Sequence, residues 1–195
     1  MRELKSIEEK ILDRTLYLIG KRGTLNVPVR AIIQEADVNI GAINYYFGSK
    51  EKMLSHVKQF YIENIMATIA PLDDESLDDE QKLIHYANEI MEYCIRFPGV
   101  TVILKYAYET KEHDEMSQKI ISSALLMEDK MNKVLERYLD EDEDIFKIKK
   151  MIFMSSVIYP THDYTEMNEE SEFLYDGNKR IRYIEKIVKL IRQKI

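Results

Sequence analysis

The sequence predicts an all-α protein, with a three-helix head joined to a larger helical body and about nine helices in all. Three observations lead to this class. The 195 residues include only 6 glycines and 4 prolines, too few to separate many strands and turns. The long segments between these breakers repeat apolar residues at helical spacing. Hydrophobic residues make up 45% of the chain and charged residues 32%, which is typical of a folded protein.

The first part of the chain predicts three short helices. Apolar residues recur at helical spacing over about residues 6–21, and Gly23 suits a left-handed cap after them. A second helix is expected over about residues 28–35, with Pro28 in its first turn. After a turn at residues 36–38, Asn39 is a good N-cap for a third helix over residues 40–47. The last two helices and their turn fit a helix-turn-helix, whose second helix enters the major groove of DNA.

The rest of the chain predicts the body. Acidic, proline-containing and polar stretches separate the apolar-periodic segments, and no internal repeat is visible. Helices are expected over about residues 50–69, 78–96, 100–110, 114–139, 144–159 and 178–194. We therefore divide the chain into a helix-turn-helix domain of residues 1–48 and a helical effector-binding and dimerisation domain of residues 49–195.

Charge is unevenly distributed between head and body. Residues 1–58 hold 10 Lys and Arg against 7 Asp and Glu, whereas residues 59–195 hold 18 against 28. The chain as a whole has a net charge of −7, which alone argues against nucleic acid. A mildly basic head on an acidic body is the pattern expected if only the head meets phosphate.

Several classes of protein are not supported by the sequence. No apolar run reaches the roughly 18–20 residues needed to cross a bilayer, and the charged first residues lack an apolar signal core, so a cytoplasmic location is expected. The single cysteine, Cys94, allows no internal disulfide and reads as a small buried hydrophobe. His85, His113 and His162 are far apart in sequence, and we expect no metal and no cofactor. Catalytic fingerprints such as GxSxG or a P-loop are missing, so no enzyme is predicted.

The third helix has the composition of a surface that meets another polymer. Gly41 and Ala42 would let the helix N-terminus approach bases closely, and Ala42 could touch a thymine methyl. Asn44 can make a bidentate contact to adenine. Tyr45 offers a ring to apolar base edges and a hydroxyl to a base or phosphate. Ordinary half-buried packing is the alternative for the tyrosines.

Residues 29–54 resemble the DNA-binding head of TetR/AcrR-type transcriptional regulators. The shared pattern is Ala36-Asp37-Val38, Asn39, Gly41-Ala42, Tyr45-Tyr46-Phe47, Ser49-Lys50-Glu51 and Leu54, with no gap in the spacing. The resemblance implies double-stranded DNA as a partner, with phosphate contacts from Tyr46 and Lys50, while Phe47 would be a core wedge. The residues expected to form the DNA-binding surface are Arg30, Asn39, Gly41, Ala42, Asn44, Tyr45, Tyr46 and Lys50.

Two positions depart from the family pattern. Asp37 stands where the family usually has glycine, in a turn position that can need positive φ, and it brings a negative charge near phosphate. Val27-Pro28 stand where a Thr or Ser often begins the second helix, so a hydroxyl contact to phosphate is lost. Backbone N–H groups at that helix end can still bind phosphate.

Two later helices carry apolar stripes. By resemblance, they would form a four-helix dimer interface with their copies; the alternative is that both stripes face the core of one subunit. The interface candidates are Ile148, Ile152, Tyr159, Ile181, Ile184, Val188 and Ile191.

The body is also rich in Met and Tyr on helices expected to face inward. By resemblance it would enclose a small-molecule pocket, where adaptable Met and Tyr hydroxyls suit an apolar effector with one or two polar groups. Plain core packing is the alternative for each residue. The pocket candidates are Met91, Cys94, Tyr106, Tyr108, Met116, Met127, Met131 and Met154.

Together these features predict a DNA-binding transcriptional regulator, a homodimer on a near-palindromic operator, acting as a repressor released by a small-molecule effector. Two other functions remain open. One is a helical small-molecule-binding protein with a vestigial head, which would not retain DNA even at low salt. The other is a regulator controlled by a protein partner, whose body would contain no cavity.

Overall fold

The computed structural model describes residues 6–161 and 173–194. These residues form ten α-helices and two 3₁₀ turns, at Tyr159–Thr161 and at residues 173–175, and contain no β-strand, so the predicted all-α class is confirmed. The helices are α1 (Ile7–Arg22), α2 (Val29–Ala36), α3 (Ile40–Phe47), α4 (Lys50–Thr68), α5 (Ala70–Asp73), α6 (Asp79–Arg96), α7 (Val100–Thr110), α8 (Glu115–Leu139), α9 (Glu143–Ile158) and α10 (Gly177–Ile191).

The structure adds one helix to the expected set and shortens another. Residues around Pro71 were expected only to end the fourth helix, but they form the four-residue α5. Proline is compatible with the first turn of a helix, where its missing N–H would have no partner within the helix. The last helix ends at Ile191, earlier than the expected end near Lys194.

Local caps fix the helices of the head. The hydroxyl of Ser6 accepts a hydrogen bond from the backbone N–H of Glu9 at 3.1 Å, which caps the start of α1. Gly23 ends α1 with φ of +64°, the left-handed conformation expected of it. Leu16 and Ile32 are completely buried, so the apolar faces of α1 and α2 form the centre of the head.

The chain divides into two compact units. The first contains the described residues up to Asn64 together with Arg96–Ala124. Within it, α1 packs against both α2 and α7. The buried carboxylate of Asp13 pairs with the guanidinium groups of Arg14 and Arg96, so α1 is tied to the end of α6 by charge-assisted hydrogen bonds.

The second unit contains Ile65–Ile95 and the described residues from Leu125 onward. Arg180 of α10 is buried there and donates to Oδ1 of Asn88 at 2.9 Å, to the carbonyl of Leu174 at 3.0 Å and to Glu92 at 3.0 Å. Because Asn88 and Glu92 both lie on α6, this arginine holds α10 to α6 through several polar contacts.

The limits of these units fall within α4 and α8 and near the end of α6. The units therefore reflect how the helices pack, and they do not test a domain boundary along the chain. The boundary between a DNA-binding domain of residues 1–48 and a body of residues 49–195 stays a prediction. No helix among the described residues combines the length and apolar character needed to span a membrane.

Candidate nucleic-acid interface

The turn between α2 and α3 contains an aspartate in a left-handed conformation. Asp37 has φ of +50° and ψ of +55°, and its backbone N–H points back to the carbonyls of the last turn of α2. The N–H of Val38 also returns to the carbonyl of Ile33, at 3.0 Å. The expectation of positive φ at this departure from the family pattern is therefore confirmed, and the short polar side chain of aspartate tolerates it better than most.

Asn39 fixes the start of α3. Its Oδ1 accepts a hydrogen bond from the N–H of Ala42 at 3.1 Å, as expected for an N-cap. A Cβ atom on Gly41 would lie only 3.1 Å from that oxygen, so glycine leaves the cap undisturbed. Val38 and Ile43, the residues before the cap and at the fourth helical position, are half-buried and buried respectively. Hydrogen bonds thus fix the turn between α2 and α3 at both of its ends.

The outward side of α3 presents uncharged side chains. Tyr45 is 82% exposed and Asn44 is exposed beside it, one turn after the exposed Ile40 and Gly41. Half-buried packing is therefore wrong for Tyr45. Ala42 is half-buried, so it is less available to a thymine methyl than expected. Residues four apart share a face, so positions 40, 41, 44 and 45 make one continuous surface.

Aromatic ring contacts support the exposed surface of α3. Phe47 is buried, as expected of a core wedge, and its ring meets that of His56 on α4 with centroids 5.4 Å apart. Tyr46 is partly exposed, and its ring meets the edge of the Tyr45 ring at 4.9 Å. The exposed Tyr45 is thus supported by a neighbour whose own position is fixed by the helix, which favours a defined orientation for its hydroxyl.

Basic side chains flank α3. Arg30 is exposed in the first turn of α2, and Nζ of Lys50, at the start of α4, donates to Oδ1 of Asn26 at 3.1 Å. Pro28 is the N-cap of α2 and provides no side-chain cap hydrogen bond, as expected from the loss of a hydroxyl there. The eight residues assigned to DNA binding thus lie on α2, on α3 with its N-cap, and at the start of α4; their contacts with DNA stay predictions.

The residues expected to line an effector pocket are divided between the two units. Tyr106, Tyr108 and Met116 lie in the first, the other five in the second. The aromatic ring of Tyr106 lies under Nζ of Lys58 at 4.6 Å. Tyr108 is 49% exposed, so the expectation that it faces inward is wrong. Two residues apart on a helix point about 200° apart, so Tyr106 and Tyr108 cannot both face the interior.

The five candidates of the second unit show a graded burial. Met91, Cys94 and Met131 are buried, whereas Met127 and Met154 are half-buried. Burial raises the pKa of the Cys94 thiol to about 11, against the smaller opposite effect of a hydrogen bond with Thr161. Cys94 is therefore a neutral thiol at physiological pH, as a small hydrophobe would be. Whether any of the five contacts an effector stays a prediction.

The sequence did not indicate two polar atoms that are buried in the second unit. The hydroxyl of Tyr86 on α6 and Oδ1 of Asn132 on α8 are buried without a hydrogen-bond partner among the described residues. Burial raises the pKa of Tyr86 well above its usual value, so its hydroxyl stays protonated and can donate. An asparagine within an apolar helix face is the one signal in the sequence that could have drawn attention to this region.

The predicted interface residues separate into two groups. Ile184, Val188 and Ile191 are buried within the subunit, because α10 packs against α9 and turns this stripe inward. For these three residues the assignment to a dimer interface is corrected: they face the core of one subunit. The candidates that remain exposed are Ile148, Ile152, Tyr159 and Ile181.

An exposed apolar face lies on α9, and Met151, part of the apolar stripe predicted for this helix, is its most prominent member. Met151 is 70% exposed and lies three residues after Ile148 and one before Ile152. Tyr159, directly after α9, is 71% exposed. On α10, Leu190 is also exposed beside the stripe that faces inward.

Among the described residues, no group of three His, Cys, Asp or Glu side chains is arranged to hold a metal ion.

A helix-turn-helix whose second helix presents an uncharged, exposed face between basic flanks defines a DNA-binding transcriptional regulator. Residues 11–57 match the bacterial regulatory proteins of the tetR family. These residues form the DNA-binding head of that family, and the comparisons support a TetR-type regulator. The motif in residues 29–54 that carried the resemblance lies wholly within the matched region.

Known proteins similar to this chain include two curated relatives. The probable HTH-type transcriptional regulator YttP of Bacillus subtilis (strain 168) is 24% identical over 140 residues, which are 71% of this chain and 65% of that protein. The matched part thus spans slightly less than two thirds of that relative. The nucleoid occlusion factor SlmA of Vibrio vulnificus (strain YJ016) is 21% identical over 169 residues, 86% of each chain.

Among solved structures, the fold is similar to a TetR-like transcriptional regulator from Rhodococcus sp. RHA1. The TM-score is 0.62 with 14% sequence identity, over 96% of this chain and 97% of that one. At this identity the likeness concerns the fold, and it extends the agreement from the head to the helical body.

Proposed function

We propose that the chain acts in the cytoplasm as a homodimeric repressor that binds a near-palindromic operator and leaves it when a small-molecule effector binds the body. The observation that carries the DNA-binding part is the exposure of Asn44 and Tyr45 on a helix fixed by the Asn39 cap. A surface residue that the fold does not use and that can pair with adenine is suited to read a base edge.

The flanking groups would hold the head on the DNA backbone. Arg30 and Lys50 flank α3 and Tyr46 lies on it, and all three carry donors suited to phosphate oxygens. At the start of α2, where Pro28 gives no side-chain cap, the backbone N–H groups of the first turn and the positive end of the helix dipole favour an anion. Most contacts would therefore position the protein, and the few on α3 would read sequence.

The exposed apolar face of α9 supports pairing of two copies. Ile148, Met151 and Ile152 lie on one side of α9, and Tyr159 continues the face beyond it. Monomeric proteins rarely expose large contiguous apolar patches, and such patches mark interaction surfaces. Two heads held about 34–36 Å apart would meet successive major grooves on one side of the duplex.

The interior of the second unit supports an effector that combines apolar bulk with polar groups. Tyr86 can donate a hydrogen bond and Asn132 can accept one, and both groups are buried without a partner among the described residues. A buried polar group left unpaired costs about 1–3 kcal/mol. An effector with one acceptor and one donor would recover that free energy, while Met91 and Met131 pack against its apolar part.

Release from DNA would follow from a two-state body. The effector would bind more tightly to the state in which the heads do not fit successive grooves, and so lower the affinity for the operator. The coupling is reciprocal, so operator DNA would weaken effector binding by the same factor. A compound that stabilises the protein against heat without weakening operator binding would not be this effector.

The experiment that tests the proposed function is selection of bound duplexes from a random-sequence pool by the full chain. The expected result is enrichment of a site with two inverted half-sites whose centres are separated by about one helical turn. Met151→Glu should form a monomer in sedimentation and bind the same site weakly, because a charge would be buried at the interface. Leu125→Glu, which alters an equally apolar exposed residue of α8, serves as the matched control.

Failure to enrich any sequence would contradict the proposal. Enrichment of a single half-site by a wild-type monomer would contradict the dimer while leaving the role of the head in place. Equal sedimentation of the wild type and both variants as dimers would assign pairing to another face of the body.

A further inference from the structure

An isoleucine on the DNA-facing side of α3 is not used by the fold. Ile40 is the first residue of α3 and is 60% exposed. The apolar contacts that hold this helix come from other positions, because Ile43 and Phe47 are buried and Val38 is half-buried before the cap. A large apolar side chain is thus presented to the outside at the start of the recognition helix, where base contacts concentrate in helix-turn-helix proteins.

The neighbours of Ile40 limit what this face can read. Ile40 lies one turn before Asn44, on the same side of the helix, and the two are separated by a rise of about 6 Å. Gly41 and Tyr45 complete the face. None of these four side chains carries a formal charge, although the pairings that favour G·C use Arg or Lys on guanine and Asp or Glu on cytosine.

The chemistry of the major groove then singles out one base. Thymine alone presents a methyl group there, and apolar side chains are its usual contacts. We propose that Ile40 is a specificity-determining residue that contacts the C5-methyl of a thymine, within about two base pairs of the adenine that Asn44 reads. The half-site is therefore centred on A·T pairs. This inference rests on the proposed function, since it requires that α3 enter the major groove.

The size of the effect follows from the area of one methyl group. Removing that methyl from water against an aliphatic side chain changes affinity about three- to fivefold. Truncating Ile40 to alanine should cost at least as much on the operator, since the side chain loses three carbons of its contact. Because Ile40 is exposed, Ile40→Ala should fold as the wild type does, and circular dichroism checks this.

The test combines a change in the protein with a change in the DNA. Each thymine of the selected site is replaced in turn by deoxyuridine, which removes the methyl and leaves the hydrogen-bonding edges unchanged. The wild type should lose about three- to fivefold in affinity at one thymine of each half-site. Ile40→Ala should lose almost nothing at that same position. Ile62→Ala, which shortens a half-buried isoleucine of α4, should lose as much as the wild type.

Each other outcome overturns the inference. If deoxyuridine weakens the wild type and Ile40→Ala equally at every thymine, Ile40 does not read a methyl. If Ile40→Ala loses affinity equally on random duplexes, the side chain packs on the DNA backbone and reads no base. Both results would leave the proposed function standing, whereas absence of an enriched site would remove it and this inference with it.

Discussion

Gly20 of α1 and Gly99, the N-cap residue of α7, pack backbone against backbone. A Cβ atom on either residue would overlap main-chain atoms of the other, and these atoms cannot rotate away as a flexible side chain could. Both residues belong to the first unit, and α1 contacts α7 there. The head helix α1 therefore packs directly on the start of α7, and the ion pair between Asp13 and Arg96 joins the same helix to the end of α6.

Gly20→Ala should destabilise the protein by about 1–3 kcal/mol, because the added methyl must push two backbones apart. This loss outweighs the gain of up to about 1 kcal/mol that alanine brings to a helix. Unfolding in urea, followed by helical circular dichroism, measures the difference. Gly177→Ala is the matched control, since a Cβ there would meet only the end of the Arg180 side chain at 3.8 Å and should cause no loss. Equal stability of Gly20→Ala and the wild type would contradict the close packing.

Asp114→Asn tests a pH-dependent contribution to stability. Partial burial tends to raise the pKa of Asp114, but hydrogen bonds from Lys58, Ser117 and the N–H of Met116, with the charge of Lys58, together hold the pKa below its usual value. A carboxyl with a lowered folded-state pKa stabilises the protein above its unfolded pKa, about 3.9, and that stabilisation disappears as pH falls through the folded value.

The wild type should therefore be more stable than Asp114→Asn between pH 5 and 7, and the difference should shrink below about pH 4. Thermal unfolding of both proteins across this range measures it. Glu112→Gln, which changes an exposed carboxyl nearby, should not show the same trend. A difference that stays constant down to pH 2 would assign the role of Asp114 to its geometry rather than to its charge.

Two substitutions at Asp37 separate the effect of its backbone conformation from the effect of its charge. Asp37→Asn keeps a residue that tolerates the left-handed conformation and removes a negative charge near the phosphates of the proposed complex. It should raise DNA affinity a few-fold at low salt, with little change in stability. Asp37→Gly should raise affinity to the same extent and also stabilise the protein by up to about 1 kcal/mol. Binding titrations and urea unfolding give the two quantities; unchanged affinity in both variants would place Asp37 away from the backbone of DNA.

Lys50→Ala should flatten the salt dependence of DNA binding. Each phosphate neutralised by a cation contributes about 0.9 to the slope of log K against log salt concentration. Losing one contact should therefore reduce the slope by about one unit. Lys105, which is 80% exposed on α7, supplies the control Lys105→Ala. An identical slope for Lys50→Ala and the wild type would remove Lys50 from the phosphate contacts, and its bond to Asn26 would then be its only role.

The sequence sufficed where structure is decided locally. The bounds of α3 were predicted correctly because Asn39, Gly48 and the apolar residues between them are all the information that a short capped helix needs. The periodicity of α10 also predicted an apolar stripe. It could not decide whether Ile184 and Val188 face their own core or a second copy, because both surroundings exclude water in the same way.

Contacts between distant parts of the chain were not predictable. Asp13 and Arg96 are 83 residues apart, and nothing local to either residue indicates the other. The orphaned hydroxyl of Tyr86 follows from the burial of a whole helix face, which only the assembled body defines. The exposure of Ile40 was partly predictable. Asn39 caps α3, and Val38 and Ile43 supply the apolar contacts at its start, so Ile40 was left without a packing role.

The affinity of wild type and Asn44→Ala for the selected operator and for random duplexes, measured under the same salt, tests the central claim most directly. Base reading by α3 predicts that Asn44→Ala loses about 1–3 kcal/mol on the operator, relaxes the preference at one base pair and binds random DNA as the wild type does. An equal loss on both duplexes, or no loss on either, would contradict the claim that α3 reads the operator.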